Sequence, residues 1–202
     1  MTDRLPATPE GLAQAAELLR GGELVAFPTD TVHGVACRAN DSDALERLFA
    51  LKRRPPDRQI AWLVTGIEQA TELGLAVDDR AQALAVAFWP GGLTLVLGVP
   101  DAASGTLGVR APDHAVAQAL LTATGPLPVT SANPHGFPEC YTADDVLIAF
   151  AESQDDLAAV IEGDSPGGVA SSVLDLAGER PRLLRDGAVS RGRLEALVGP
   201  ID

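Results

Sequence analysis

Phe27-Pro28-Thr29-Asp30-Thr31-Val32-His33-Gly34 places two hydroxyls, a carboxylate and an imidazole directly after an apolar run at residues 23–27. Small hydroxyls beside a glycine can hold a polar ligand without filling its space. Loops leaving the ends of buried strands are where α/β proteins bind ligands. A strand followed by a plain turn explains the octapeptide equally well, and its interest grows because other polar stretches sit in similar places. Lys52, Arg53, Arg54 and Arg58 put four cations within seven residues, suited to a phosphate clamp or simply to a solvated helix end. Arg110 ends an apolar strand, where it could take a carboxylate in a bidentate grip or pair with one of the chain's many acids. Thr130-Ser131-Ala132-Asn133 follows another strand and offers two hydroxyls, a small residue and an amide, either to a ligand or to an ordinary turn before Pro134. Ser171-Ser172 behind Gly167-Gly168, and Arg185 before Gly187, raise the same choice.

The elements that must position these residues can be read from periodicity and caps. Thr8-Pro9-Glu10 opens a helix with Leu12, Ala15, Ala16 and Leu19 on one face, closed by Gly21-Gly22. Asp41 or Ser42 caps a second helix that ends at Lys52. Residues 67–73 predict a weak helical turn, and Asp78-Asp79 start a helix reaching Phe88. Asp113 is expected to cap a helix to Thr124, Thr142 one to about residue 152, and Ser190 a last one to Val198. Strands are expected over 60–64, 93–97, 107–110, 127–130, 157–161, 171–176 and 181–184. The connection from 93–97 to 107–110 is too short for a crossover helix, so that pair is antiparallel. The expected fold class is therefore α/β: one twisted, mixed parallel and antiparallel sheet with helices on its faces. Neither a repeat nor an interdomain linker is visible, so residues 1–202 are expected to form one domain.

Composition narrows the chemistry further. A net charge of −13 over 202 residues argues against a general nucleic-acid binder, though not against a local basic pocket. No apolar run approaches the ~20 residues needed to cross a bilayer, and the polar amino terminus lacks a signal core, so a cytoplasmic protein is expected. Cys37 and Cys140 stand alone, without Cys-x-x-Cys or zinc spacing, and read as reduced thiols; His33, His114 and His135 form no metal-spaced pair. The phosphate-binding Gly-x-x-x-x-Gly-Lys-Ser/Thr loop, the dinucleotide Gly-x-Gly-x-x-Gly turn and the Gly-x-Ser-x-Gly elbow are all missing.

Taken in order, Pro28-Thr29-Asp30-Thr31-Val32-His33-Gly34, Lys52-Arg53-Arg54-Pro55, Trp89-Pro90-Gly91-Gly92-Leu93-Thr94, Val109-Arg110-Ala111-Pro112, Thr130-Ser131-Ala132-Asn133, Ser171-Ser172 and Leu184-Arg185-Asp186-Gly187 resemble the YrdC family of threonylcarbamoyl-AMP synthases. The motif-bearing region is about residues 8–190. The resemblance implies a YrdC-like domain with a central cavity. It also implies formation of threonylcarbamoyl-AMP and pyrophosphate from L-threonine, bicarbonate or CO2, and ATP with Mg²⁺. The product serves the N6-threonylcarbamoyladenosine modification at position 37 of tRNA, through a downstream tRNA threonylcarbamoyl transferase. It assigns Lys52, Arg54, Ser131, Asn133 and Arg185 to ATP, and Thr29, Thr31, Arg110, Thr130 and Ser171 to threonine or its carbamate. Lys52, Arg54 and Arg110 would be the catalytic cations, with no protein ligand set for a metal. The chain departs from the family pattern at His33 (usually tyrosine), Val35 (leucine), Gln59 and Gly92 (proline) and Ala170 (often glutamate). It also ends near Asp202, so the extra carboxyl-terminal domain of longer relatives is expected to be absent. The rival reading is a non-catalytic YrdC-like protein that binds nucleotide or makes a weak RNA contact. Lys52→Ala and Arg110→Ala are expected to lower turnover while barely moving the thermal midpoint.

Overall fold

Alternation of large apolar and small or polar residues along the strands decides which sheet face is filled. The computed structural model describes residues 2–53, 60–100, 105–153 and 156–202. In chain order it contains β1 (Asp3–Leu5), α1 (Pro9–Arg20), β2 (Val25–Phe27), β3 (Gly34–Ala36), α2 (Ser42–Leu51), β4 (Ala61–Leu63), α3 (Ile67–Glu72) and α4 (Asp79–Phe88). These are followed by β5 (Leu93–Gly98), β6 (Thr106–Arg110), α5 (Ala115–Thr124), β7 (Leu127–Ser131), α6 (Ala143–Ala149), β8 (Ala159–Ile161), β9 (Ser172–Asp175), β10 (Arg182–Arg185) and α7 (Arg191–Val198). Among the described residues ten strands make one sheet, in the order β1-β8-β2-β3-β7-β4-β6-β5-β9-β10. The pairing is mixed: β4–β6 and β5–β9 are parallel, while β2–β3, β3–β7, β5–β6 and β9–β10 are antiparallel.

One half of the sheet is covered on both faces. On β2, Val25 and Phe27 point into a core built with Ala15, Ala16 and Leu19 of α1 and Leu120 and Leu121 of α5, while Ala26 points the other way, toward Leu48 of α2 and Val146 of α6. β8 repeats the pattern, with Ala159 and Ile161 on the first side and Val160 on the second. In the other half, Leu93, Leu95 and Leu97 of β5, Val109 of β6 and Leu174 of β9 pack with Leu84 of α4 and Leu194 of α7. The alternate residues of those same strands, Thr94, Val96, Gly108, Arg110 and Val173, face a cavity instead. Side chains in a strand alternate between faces, so the residues that fill one side necessarily present the others to the cavity.

Local signals account for most element ends. Thr8, Asp41 and Asp78 accept hydrogen bonds from the backbones of Gly11, Ala44 and Ala81 at the starts of α1, α2 and α4. Thr142 and Asp145 form a reciprocal capping box on α6. Two expectations need correction, and two strands were not foreseen. His114, not Asp113, occupies the cap position of α5 and makes no side-chain cap bond. α6 stops at Ala149, and a short 3-10 turn at Ala151–Ser153 completes the stretch read as one helix. β1 and β3 are strands of three residues, too short to show a period; β3 lies within what reads as the end of a polar loop.

The turn after β10 crosses the main chain before β9 at close range. A Cβ on Gly187 would fall 2.5 Å from the Ser171 carbonyl carbon and 2.5 Å from the Ser172 nitrogen. Substitution Gly187→Ala is therefore expected to destabilise the protein by about 1–3 kcal/mol through overpacking, measured by urea denaturation; an unchanged midpoint would show that the turn has room.

Candidate active site

The cavity, about 470 Å³, lies against the half of the sheet that helices leave uncovered on one side. Its wall includes Thr29, Thr31, Arg110, Thr130, Ser131, Ser171 and Arg185, so seven residues singled out in the sequence converge on one hollow. Each arrives by the same device, the end of a strand. β2 and β3 are antiparallel partners joined by the loop of Thr29 and Thr31, with Phe27 opposite Gly34. β7 pairs with β3 so that Thr130 faces Val35 and Ser131 faces Gly34. Arg110 closes β6 opposite Leu63 of β4. Ser171 precedes β9, and Arg185 ends β10.

Arg110 is held on three sides. Its Nε donates to the Gly91 carbonyl at 2.9 Å, one terminal nitrogen to the Thr31 hydroxyl at 3.3 Å, and the other to both Asp30 carboxylate oxygens at 2.6 Å. The Arg110 and Asp30 side chains are only 10% and 15% exposed, so this is a largely desolvated ion pair. The two readings the sequence left open for Arg110 are thus combined: it faces the cavity, and it carries its own carboxylate. Arg185 differs. It donates to the Ser171 carbonyl and hydroxyl, both at 2.9 Å, and among the described residues no carboxylate lies within ion-pair distance of it. Burial first, then the positive charge of Arg110, pulls its pKa below the ordinary arginine value, while Glu139 acts in the opposite sense. A guanidinium so placed favours an anion nearby.

Hydroxyls complete the wall. The Thr29 hydroxyl donates to the Val32 carbonyl at 2.7 Å, accepts the Thr31 N–H at 3.2 Å and lies 3.2 Å from the Thr31 hydroxyl. The Ser171 hydroxyl stands 2.9 Å from that of Thr94. Lys52 lies behind the wall, 2% exposed, and donates to the carbonyls of Ser131 and Asn133 and to the Ser131 hydroxyl. It fixes the end of β7 from within. Asn133 is also buried, and its amide nitrogen is turned onto the carbonyls of Pro134 and Phe137, within its own loop. Arg54 and Gln59 lie outside the described residues. Thr94, Glu139 and Asp30 belong to the site, although the sequence reading gave them no role. Thr94 could have been suspected from a hydroxyl set between Leu93 and Leu95; Glu139 carries no such signal.

His33 is fully buried. Burial first, and then the neighbouring His114, pushes its pKa down to about 4, against the pull of Asp145 and Asp164. Burial likewise raises the thiols of Cys37 and Cys140 to about 12 and 11, so both are protonated at neutral pH and poor nucleophiles. Both are free and buried. No helix among the described residues is long and apolar enough to cross a membrane.

Against known proteins, residues 17–187 match the family model for Sua5, YciO and YrdC, described as "Telomere recombination". The chain is 38% identical over its whole length to the threonylcarbamoyl-AMP synthase of Bacillus subtilis, of which it covers 60%. It is 35% identical over 80% of its length to the threonylcarbamoyl-AMP synthase of Vibrio cholerae, covering 89% of that protein. A crystal structure of Pyrococcus abyssi Sua5 complexed with L-threonine superposes over the entire chain with a TM-score of 0.87 and 33% identity, covering 62% of that protein. Strand-end loops converging on a half-covered mixed sheet thus define an α/β protein of the kind these relatives share. The chain belongs to the Sua5/YciO/YrdC family.

Arg110→Ala is expected to cost about 3–5 kcal/mol of stability, because it strands the Asp30 carboxylate, and Asp30→Ala/Arg110→Ala to recover much of that loss. This replaces the expectation of an unmoved thermal midpoint; denaturant titration of the three proteins decides between them. For His33, the folded pKa is depressed, so its stabilising contribution is intact above the unfolded value of 6.5 and is lost as pH falls toward 4. Across that window the wild type should lose about 3 kcal/mol more than His33→Asn, and parallel denaturation curves would refute the buried neutral imidazole.

Proposed function

We propose that the protein is an L-threonylcarbamoyladenylate synthase, a nucleotidyltransferase. The observation that carries this reading is the Arg185 guanidinium, without a carboxylate partner among the described residues, aimed with Arg110 at a cavity walled by the hydroxyls of Thr29, Thr31, Thr130, Ser131 and Ser171. Relatives of matching length that are named threonylcarbamoyl-AMP synthase, and the likeness to a Sua5 complexed with L-threonine, support it.

In this reading the neutral amine of L-threonine attacks CO2, forming the N–C bond of a carbamate and releasing a proton. A carbamate oxygen then attacks the α-phosphorus of ATP, and the bond to the β-phosphate breaks to release pyrophosphate. Nucleophile and target both carry negative charge, so the site's first task is to screen their repulsion. Arg185, with Arg54, serves the phosphates, while Lys52 steadies the Ser131–Asn133 turn from behind, and Ser131 and Asn133 shape the nucleotide's seat. Thr29, Thr31, Arg110, Thr130 and Ser171 hold the amino acid and its carbamate. Holding the reactants in line supplies the remaining help, and no protein nucleophile is needed.

Among the described residues, no group of three or more His, Cys, Asp or Glu side chains could hold a metal ion. Mg²⁺ would enter as the companion of the triphosphate and help to neutralise its charge. The product is a reactive mixed anhydride, to be passed to a tRNA threonylcarbamoyl transferase acting at adenosine 37. Such chemistry belongs in the cytoplasm.

The test is pyrophosphate release with ATP, bicarbonate and Mg²⁺, which should require L-threonine. Release that ignores threonine, or none at all, would instead favour a non-catalytic nucleotide-binding relative. Arg185→Ala should lower kcat/KM for ATP about ten- to hundredfold, the worth of a charge-assisted phosphate contact; a change below about twofold would remove Arg185 from the nucleotide site.

A further inference from the structure

We infer that His33 is a positioning residue that, through the Ser165 hydroxyl, fixes the main chain of Thr29 and with it the hydroxyls presented to the cavity. The inference uses the synthase reading only for its choice of ligand. The backbone of His33 already joins both ends of the β7–α6 connection to its own loop: its N–H donates to the Cys140 carbonyl at 2.8 Å, and its carbonyl accepts from the Ala132 N–H at 2.7 Å. Its ring continues the connection. Nδ1 is 3.0 Å from Ser165 Oγ, and Ser165 Oγ accepts the Thr29 N–H at 3.1 Å. From Thr29 the chain of bonds runs through the Thr31 hydroxyl to Arg110 and Asp30. One buried ring is thus linked, through Ser165, Thr29 and Thr31, to the ion pair at the cavity wall.

Counting donors assigns the protons. With the ring proton on Nε2, Ser165 O–H donates to Nδ1, and the one group left without a partner is the Nε2–H. With the proton on Nδ1, both the Ser165 O–H and the Nε2 lone pair are left over. Unpaired buried groups are costly, so the first arrangement wins. The charged and titratable groups facing the ring are His114 at the start of α5, Asp145 on α6 and Asp164 in the loop before Ser165; burial outweighs the carboxylates and keeps the ring neutral. Among the described residues Nε2 is buried without a hydrogen-bond partner, and the ring's hydrogen bond is to the Ser165 hydroxyl, a geometry that suits positioning.

The substitutions separate the two ring nitrogens. Asparagine carries an acceptor at the δ position and can replace Nδ1; leucine cannot, and glutamine places its acceptor one bond too far. His33→Leu and Ser165→Ala should each weaken L-threonine binding about tenfold by calorimetry, and the double variant should be no worse than either single one. His33→Asn should come within about threefold of wild type, and His33→Gln should not. Protection of the Thr29 amide against hydrogen exchange should fall in parallel. Additive losses, a His33→Asn no better than His33→Leu, or unchanged Thr29 protection in His33→Leu would each overturn the inference. Should the variants fail to fold, nitrogen NMR of the wild-type ring decides: a proton on Nε2 supports it and a proton on Nδ1 overturns it. A wild-type chain that does not bind L-threonine would count against the synthase reading alone, and Thr29 exchange would still judge His33.

Discussion

A pleated strand cannot bury both of its faces against one layer of helices. In the half of the sheet made by β4, β6, β5 and β9 that constraint generates the site. Leu93, Leu95 and Leu97 fill the core beneath α4 and α7, and the same backbone then delivers Thr94 and Val96 to the opposite side. Val109 and Leu174 do likewise for Arg110 and Val173. A substitution that shifted β5 by one residue would send the leucines into the cavity and the threonine into the core. Packing and recognition are therefore specified by a single register.

The charges of the cavity divide into two kinds. Arg110 arrives with Asp30 and two further acceptors, the Gly91 carbonyl and the Thr31 hydroxyl, and behaves as part of the scaffold while showing its edge to the hollow. Among the described residues Arg185 is hydrogen-bonded to Ser171 and to no carboxylate, so its charge remains the more available. An overall balance of −13 conceals this local asymmetry, because net charge describes the surface as a whole and says little about a lined depression.

The long, strongly periodic elements were legible in the sequence: α1, α2, α4 and β5 follow directly from their apolar spacing and capping residues. The polar strand ends were legible as candidates because hydroxyls and arginines stood where apolar runs stopped. Their convergence was expected only through the resemblance to a family, since nothing in spacing alone brings residue 31 to residue 110 or residue 52 to residue 131. Three-residue strands such as β1 and β3 leave no period to detect. Ser165 could not be foreseen, because its importance lies in two contacts, with Thr29 and His33, both more than a hundred residues away.

The Asp30–Arg110 pair also sets the terms on which an acidic guest can enter. A carboxylate approaching that guanidinium meets one already in residence, so its affinity reflects a contest between two similar partners and not the full attraction of a bare cation. Such a seat holds its occupant loosely and exchanges it readily.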